Sequence, residues 1–270
     1  RIVLTAHPTQ FYPGAVLGVI SDLDEAIRGN NLRNIERYLE QLGKTPFFKK
    51  EKPSPLDEAI SLVWYLENIF CHSIHQIDEE VAHSLGDEAE EIIGSNPLLQ
   101  LGFWPGGDRD GNPFVNTEIT LKVADRLRTS LFKCYFKDIR ILKRRITFRG
   151  TERLMQEIHD KLYTEAFGTT EQPDFTPKVL LQNLTDLEGV LIEQHNGLFA
   201  EDLRSLIHKV KIFGFHFSTM DIRQDSRVIK QTMVEIRRLY PDLFPSNYDA
   251  LSQKERIDVL FNLEGDIDPS

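Results

Sequence analysis

Long helical stretches separate the few strand segments of this sequence, and this spacing most restricts the folds open to the chain. Strand-like apolar segments occur at Ile2–Ala6, Leu101–Trp104 and Phe215–Ile222. Strands joined by such long crossovers pair in parallel, because an antiparallel pair needs only a short hairpin. The sequence therefore predicts a mostly α-helical α/β fold, either an α/β barrel or a doubly wound sheet, with large helical insertions.

Apolar residues at steps of three and four predict two long amphipathic helices, from Leu56 to Leu85 and from Thr117 to Phe148. The predicted buried stripe of the second helix consists of Ala124, Leu127, Leu131, Tyr135, Ile139, Leu142 and Ile146. Shorter helices are predicted at Gly14–Arg28, Leu32–Leu42, Glu152–Tyr163, Val179–His195, Ala200–Lys211, Val228–Leu239 and Ser252–Phe261, with a loop at Pro241–Tyr248.

The composition is that of a globular protein from a reducing compartment. The 270 residues are 40% hydrophobic and 27% charged, and the net charge of −10 argues against a general nucleic-acid binder. Cys71 and Cys134 stand far apart and indicate neither a disulfide framework nor a paired-cysteine zinc site. The sequence has no apolar run of the ~20 residues that a membrane span needs. We therefore expect a cytoplasmic protein that binds neither nucleic acid nor membrane.

The segment 106–113, GGDRDGNP, follows the second strand directly and is suited to binding an anion. Glycines such as Gly107 allow the backbone to turn its N–H groups toward one point. Asp108 and Asp110 flank Arg109 and can hold its guanidinium while leaving part of it for a phosphate or carboxylate. A calcium loop is excluded, because Pro113 stands where an EF-hand needs glycine. A solvated turn in which these charges merely pair is the alternative.

Polar side chains also follow the other two strands. His7 comes directly after the first strand, where barrel enzymes place catalytic residues, and it could transfer a proton near neutral pH. A turn histidine bound to a backbone carbonyl is equally compatible with the sequence. After the third strand, Asp221, Arg223 and Gln224 fall at the same edge of a parallel sheet. Alternatively, Asp221 and Arg223 form a structural pair, and Asp225 or Ser226 caps the next helix.

Two charged surfaces and one histidine pair have ordinary interpretations. His72 and His75 lie three residues apart with Glu79 one turn on, a spacing that could hold zinc but lacks a fourth ligand. The acidic run from Asp78 to Glu91 is best interpreted as solvated surface. The second long helix carries a basic face, which could contact an anion or a subunit but is better explained as solvated or interdomain surface. That face consists of Lys122, Arg126, Lys133, Lys137, Arg140 and Arg144.

Three motifs in this order resemble phosphoenolpyruvate carboxylase: TAHPTQ at residues 5–10, GFWPGGDRDGNPFV at 102–115 and FGFHFSTMDIRQDS at 213–226. Members of that family are much longer. The resemblance therefore implies an internal segment that starts at the first strand of a (β/α) barrel, with residues 1–270 forming one partial domain in the N-terminal part of the catalytic barrel region.

The resemblance implies a lyase that carboxylates phosphoenolpyruvate with bicarbonate, giving oxaloacetate and phosphate through carboxyphosphate and the enolate of pyruvate. It implies that His7 takes the proton of carboxyphosphate and positions carbon dioxide, and that Arg109 contacts the phosphate-bearing substrate. Substrate or phosphate contacts are also expected from Asp108, Asp110, Gly107, Arg223 and Gln224. Mg²⁺ or Mn²⁺ is the implied cofactor, with metal ligands outside this segment and none within it, and a homotetramer is the implied assembly of the full-length enzyme.

The sequence departs from the family pattern at Pro13–Gly14, where a pair of arginines is usual. The family's acidic metal ligands and its glycine- and arginine-rich loop belong to motifs further downstream. We therefore expect the isolated segment to be inactive. A non-catalytic anion-binding or assembly module that retains the fold is the alternative function.

Overall fold

The computed structural model of the protein describes residues 1–5, 14–47, 53–85, 99–110, 112–168 and 172–264. Three short strands form one parallel sheet in the order β1 (Ile2–Leu4), β2 (Leu101–Phe103) and β3 (Thr219–Met220). Gly102 on the central strand pairs with Val3 on one side and Thr219 on the other. The predicted parallel pairing is confirmed.

Helices make up most of the described chain, as predicted. In chain order they are α1 (Gly14–Arg28), α2 (Leu32–Lys44), α3 (Pro55–Tyr65), α4 (Cys71–Leu85), α5 (Thr117–Arg145), α6 (Glu152–Phe167), α7 (Pro177–His195), α8 (Ala200–Phe213), α9 (Ser226–Leu239) and α10 (Gln253–Phe261). None of the helices in these described ranges is long and apolar enough to cross a membrane.

The first long predicted helix is interrupted by a π-helical turn. α3 begins with a capping box, in which Ser54 and Asp57 each bind the other's backbone N–H group. The turn at Leu66–Phe70 then joins α3 to α4. A π turn inserts one residue into the helical repeat. This shift is not visible in the sequence, where the apolar residues continue at spacings of three and four.

The core surrounds α5, whose buried stripe follows the prediction except at one position. Ala124 is exposed and Val123 is fully buried instead. Steps of four from Val123 lead to Leu127 and Leu131, and this row faces the core. Phe132 adds an aromatic contact with Phe215, their ring centroids 4.7 Å apart.

The third strand is much shorter than Phe215–Ile222. Phe215 and Phe217 are buried, but they precede the strand and pack in the core instead of pairing in the sheet. Burial of large apolar residues thus produced a strand-like pattern outside the strand. The predicted loop at Pro241–Tyr248 likewise contains a 3₁₀ turn at Pro241–Leu243, and a second begins at Tyr248.

The chain divides into two compact units. The first comprises Arg1–Asp108 and Pro113–Ile222, which include the sheet and the helices α1 to α8. The second comprises Arg109–Asn112 and the chain from Arg223 onward, which includes α9 and α10. The predicted single partial domain over residues 1–270 stays a prediction.

Replacement of Tyr135 by Phe should lower the free energy of unfolding by about 1–2 kcal/mol, because the buried hydroxyl donates to the carbonyl oxygen of Gly214 at 2.8 Å. Tyr163→Phe is the matched control. Tyr163 is 53% exposed, so removal of its hydroxyl group should change the free energy of unfolding little. Urea unfolding of both variants measures the difference. Equal midpoints for Tyr135→Phe and the parent protein would show that this bond contributes nothing.

Candidate functional site

The second strand leads into a tight turn that Trp104 organises. The backbone carbonyl of Trp104 accepts hydrogen bonds from the N–H groups of Gly107 at 2.9 Å and Asp108 at 3.0 Å. The N–H group of Trp104 donates to the carbonyl oxygen of Leu4 at 3.1 Å, which extends the pairing with β1. The start of the GGDRDGNP segment is therefore fixed to the sheet by backbone hydrogen bonds.

Two glycines are required here for different physical reasons. Gly106 has a φ of +79°, and a Cβ atom there would lie 2.7 Å from Cγ2 of Val123. A Cβ atom on Gly107 would lie 2.4 Å from the carbonyl oxygen of Asp221, closer than such atoms approach. Only Gly106 needs a positive φ. The N–H group of Gly107, which was predicted to point toward an anion, instead donates to the carbonyl oxygen of Trp104.

The turn is also attached to the start of α5. The hydroxyl of Thr120 donates to the carbonyl oxygen of Gly106 at 2.6 Å. Asn116 caps the same helix, and its side-chain oxygen accepts the N–H group of Ile119 at 2.9 Å. The long helix thus supports the turn from the side opposite to the sheet.

Asp221 follows β3 directly, and among the described residues its carboxylate binds the side chains of Arg1 and Trp104. Its carboxylate binds Nη2 of Arg1 at 2.6 Å and Nε1 of Trp104 at 3.0 Å. The hydrogen bond from Arg1 is the main cause of the lowered pKa of Asp221, and the bond from Trp104 adds to it. These hydrogen bonds pair the carboxylate of Asp221 with Arg1, a partner that the sequence did not indicate.

Within the second unit, residues from the GGDRDGNP and DIRQDS segments meet. The N–H group of Arg109 donates to the carbonyl oxygen of Arg223 at 2.9 Å. The guanidinium of Arg223 lies 3.9 Å from the carboxylate of Asp110, and both side chains are about half exposed. An exposed pair at this distance contributes little to stability. The backbone of Arg109 and the side chain of Asp110 both contact Arg223, and the anion site at these residues stays a prediction.

The residues after Arg223 begin helix α9. Gln224 accepts the N–H group of Asp225 through its side-chain oxygen at 2.9 Å. Asp225 accepts the N–H group of Arg227 at 2.8 Å and caps α9, whereas Ser226 is already the first residue of the helix. The hydrogen bond from the Arg227 side chain lowers the pKa of Asp225. The capping interpretation is confirmed for Asp225.

His7 lies outside the described residues, and so does Gly111. The predicted role of His7 therefore stays a prediction. The same holds for Pro13.

The histidine pair on α4 lies against the core. His75 is 4% exposed, and burial lowers its pKa to about 4, so that it is neutral near pH 7. In the part of the chain that the structure describes, no group of three His, Cys, Asp or Glu side chains could hold a metal ion. The side chain of Glu79 is not among those described, so the zinc alternative stays untested at that position.

Several cations of the basic face on α5 have partners. Lys122 binds Glu118 at 2.6 Å, and Arg126 lies 3.6 Å from Glu67. The guanidinium of Arg140 lies 5.9 Å from the ring centroid of Phe136. These contacts within the chain agree with the interpretation of a solvated or interdomain face.

Sequence reasoning missed Arg1 and the bond between Trp104 and Asp221. The guanidinium of Arg1 crosses β2 at Gly102, where a Cβ atom would lie 2.8 Å from Nη2 of Arg1. This contact depends on the register of three strands that lie far apart in the sequence. The polar residue directly after the third strand was the only signal available.

Comparison with known proteins gives matches along nearly the whole chain. The family model described as phosphoenolpyruvate carboxylase matches residues 1–174 and 149–266. The phosphoenolpyruvate carboxylase of Aliivibrio salmonicida is 28% identical over 304 residues, covering 97% of this chain and 34% of the relative. The enzymes of the same name from Shewanella loihica and Shewanella oneidensis are 26% and 25% identical, and each match covers 88% of this chain and 32% of the relative. The chain spans about a third of the length of these curated relatives.

Replacement of Gly107 by Ala should destabilise the protein by about 1–3 kcal/mol, because the new methyl group would overlap the carbonyl oxygen of Asp221 and force the backbone apart. Gly189→Ala is the matched control. Gly189 lies inside α7 with no atom within 4 Å of an added Cβ, so this change should stabilise the protein by about 0.5–1 kcal/mol. Thermal unfolding of both variants measures the contrast, and a shift of the same sign in both would contradict it.

Proposed function

The chain belongs to the phosphoenolpyruvate carboxylase family, and on this premise we propose that it forms the N-terminal part of the catalytic barrel region of such an enzyme. The complete enzyme would join bicarbonate to phosphoenolpyruvate and release oxaloacetate and phosphate. The observation that carries the proposal is the family match over residues 1–174 and 149–266, which includes all three motifs.

Arg109 and Arg223 are the proposed contacts for the anionic substrate. The hydrogen bond of 2.9 Å between their backbones holds together the segments that carry the two guanidiniums. A guanidinium can bind phosphate or carboxylate through two parallel hydrogen bonds, which fixes the orientation of the ligand. Phosphoryl transfer depends mainly on such positioning and on neutralisation of charge. This supports a role for both arginines in holding phosphoenolpyruvate.

Residues next to Arg109 and Arg223 would complete the substrate-binding site. Asp110 lies 3.9 Å from the guanidinium of Arg223 and can limit its movement. Gly107 and Asp108 supply the turn through which the chain enters Arg109. Gln224 accepts the N–H group of Asp225 through its side-chain oxygen, and we propose that its amide NH₂ group donates to a ligand oxygen.

His7 is the proposed catalytic base. Transfer of the phosphoryl group from phosphoenolpyruvate to bicarbonate would give carboxyphosphate and the enolate of pyruvate. His7 would accept the proton of the carboxyl group of carboxyphosphate. At the same time the bond between the carboxyl carbon and the bridging oxygen would break, which releases carbon dioxide and phosphate. The enolate carbon would then form a bond to carbon dioxide and give oxaloacetate.

Mg²⁺ or Mn²⁺ would supply further charge neutralisation to the enzyme. From the resemblance alone, we propose that its ligands lie outside residues 1–270, and we assign no step to the metal. A cytoplasmic location and a homotetramer remain part of this proposal.

A non-catalytic anion-binding or assembly module is the second candidate. Pro13–Gly14 favours it, because the resemblance implies two arginines at this turn and their charges are missing. Such a module would bind phosphoenolpyruvate without producing oxaloacetate. The 270-residue chain by itself is expected to be inactive in either case.

Replacement of His7 by Asn in the full-length enzyme should lower oxaloacetate formation about 100-fold or more, with a much smaller effect on phosphoenolpyruvate binding, because general acid–base catalysis contributes roughly 10²–10⁴-fold. An assay coupled to malate dehydrogenase measures the product. His159→Asn is the matched control, since His159 pairs with Asp160 on α6. Normal oxaloacetate formation by the His7 variant would refute the catalytic role, and a parent enzyme that binds substrate without turnover would favour the module.

A further inference from the structure

Asp221 follows β3 directly and contacts residues next to both other strands through its backbone and its side chain. Its N–H group donates to the carbonyl oxygen of Phe103 at 3.0 Å, and its own carbonyl oxygen packs against Gly107. Its carboxylate binds Arg1 at 2.6 Å and the indole of Trp104 at 3.0 Å. One residue thereby contacts the chain before β1, the end of β2 and the turn that follows β2.

Trp104 links Asp221 to the turn that follows β2. Its indole binds Asp221, and its backbone carbonyl accepts the N–H groups of Gly107 and Asp108. A change in the position of Trp104 would therefore move the donors of both backbone bonds. Along the sequence, this turn leads directly into Arg109.

Arg1 balances the charge of Asp221. Its guanidinium reaches the carboxylate across Gly102, where an added Cβ atom would lie 2.8 Å from Nη2 of Arg1. The side chains of Arg1 and Asp221 are 39% and 25% exposed, so the pair is only partly shielded from water. The hydrogen bond from Arg1 lowers the pKa of Asp221, and the charged carboxylate is the better acceptor for the indole N–H group.

We infer that Asp221 is a positioning residue, which holds Trp104 and through it the turn at Gly107 and Asp108 that delivers Arg109 to an anionic substrate. This role rests on the proposed function. Asp221 itself needs no contact with the substrate. Arg1 assists by neutralising a carboxylate that would otherwise repel an anion.

A kinetic double-mutant cycle tests this role in the full-length enzyme. Asp221→Ala and Trp104→Phe should each lower kcat/KM for phosphoenolpyruvate about tenfold or more, because small misplacements of binding groups are costly. In the double variant, kcat/KM for phosphoenolpyruvate should fall no further than in the more strongly affected single variant, because both changes break the same hydrogen bond between Trp104 and Asp221. The KM for bicarbonate should change much less than the KM for phosphoenolpyruvate. A fold-loss of kcat/KM in the double variant that equals the product of the two single fold-losses would overturn the inference.

Fluorine NMR of protein labelled with 5-fluorotryptophan tests the connection without an assay. Trp64 and Trp104 are the two tryptophans of this chain, and the signal of Trp104 is identified by its loss in Trp104→Phe. Asp221→Ala should shift the Trp104 signal and leave the Trp64 signal in place. Asp221→Asn keeps an oxygen acceptor for the indole, so it should restore most of the parent signal and part of the activity. An unmoved Trp104 signal in a folded Asp221→Ala protein would overturn the inference.

Asp202→Ala is the matched control, because it removes an ion pair of the same length, 2.6 Å, with Arg145 on the helical surface. It should change neither the kinetics nor the Trp104 signal. A parent enzyme that makes no oxaloacetate would refute the proposed function, and the fluorine signal would still decide whether Asp221 holds Trp104.

Discussion

The close approach of Gly107 to the carbonyl oxygen of Asp221 is the constraint on which the edge of this sheet depends. A single added carbon atom would lie 2.4 Å from that oxygen. The approach follows from the register in which Gly102 pairs with Thr219 and Phe103 with Met220, which places the ends of β2 and β3 side by side. Parallel strands end at a common edge, so residues far apart in the sequence meet there.

Helix α5 also holds the turn that follows β2. Val123 packs beneath Gly106, and Thr120 binds the carbonyl oxygen of Gly106 at 2.6 Å. Both residues belong to α5, whose buried stripe forms the centre of the core. The turn before Arg109 is therefore fixed by a strand and by a helix, and its geometry is set by folding rather than by a ligand. Such preorganisation lowers the cost of binding a charged substrate.

The sequence predicted much of this arrangement and missed the contacts that cross between segments. Helical periodicity located α5 to within a few residues, and the order of the motifs identified the family. The shortness of β3 was missed, because Phe215 is buried without belonging to a strand. The bond between Arg1 and Asp221 spans 220 positions and depends on the register of strands that no hairpin turn joins, so the local sequence did not indicate it. The barrel itself stays a prediction.

The central claim is that the turn before Arg109 is held in place before any substrate binds. Amide hydrogen exchange of the ligand-free protein, followed by NMR, tests it most directly. The N–H groups of Gly107 and Asp108 both donate to Trp104, and that of Asp221 donates to Phe103. The account predicts that all three exchange about as slowly as the amides of β2. Exchange of these three amides at the rate of an unfolded chain would contradict it.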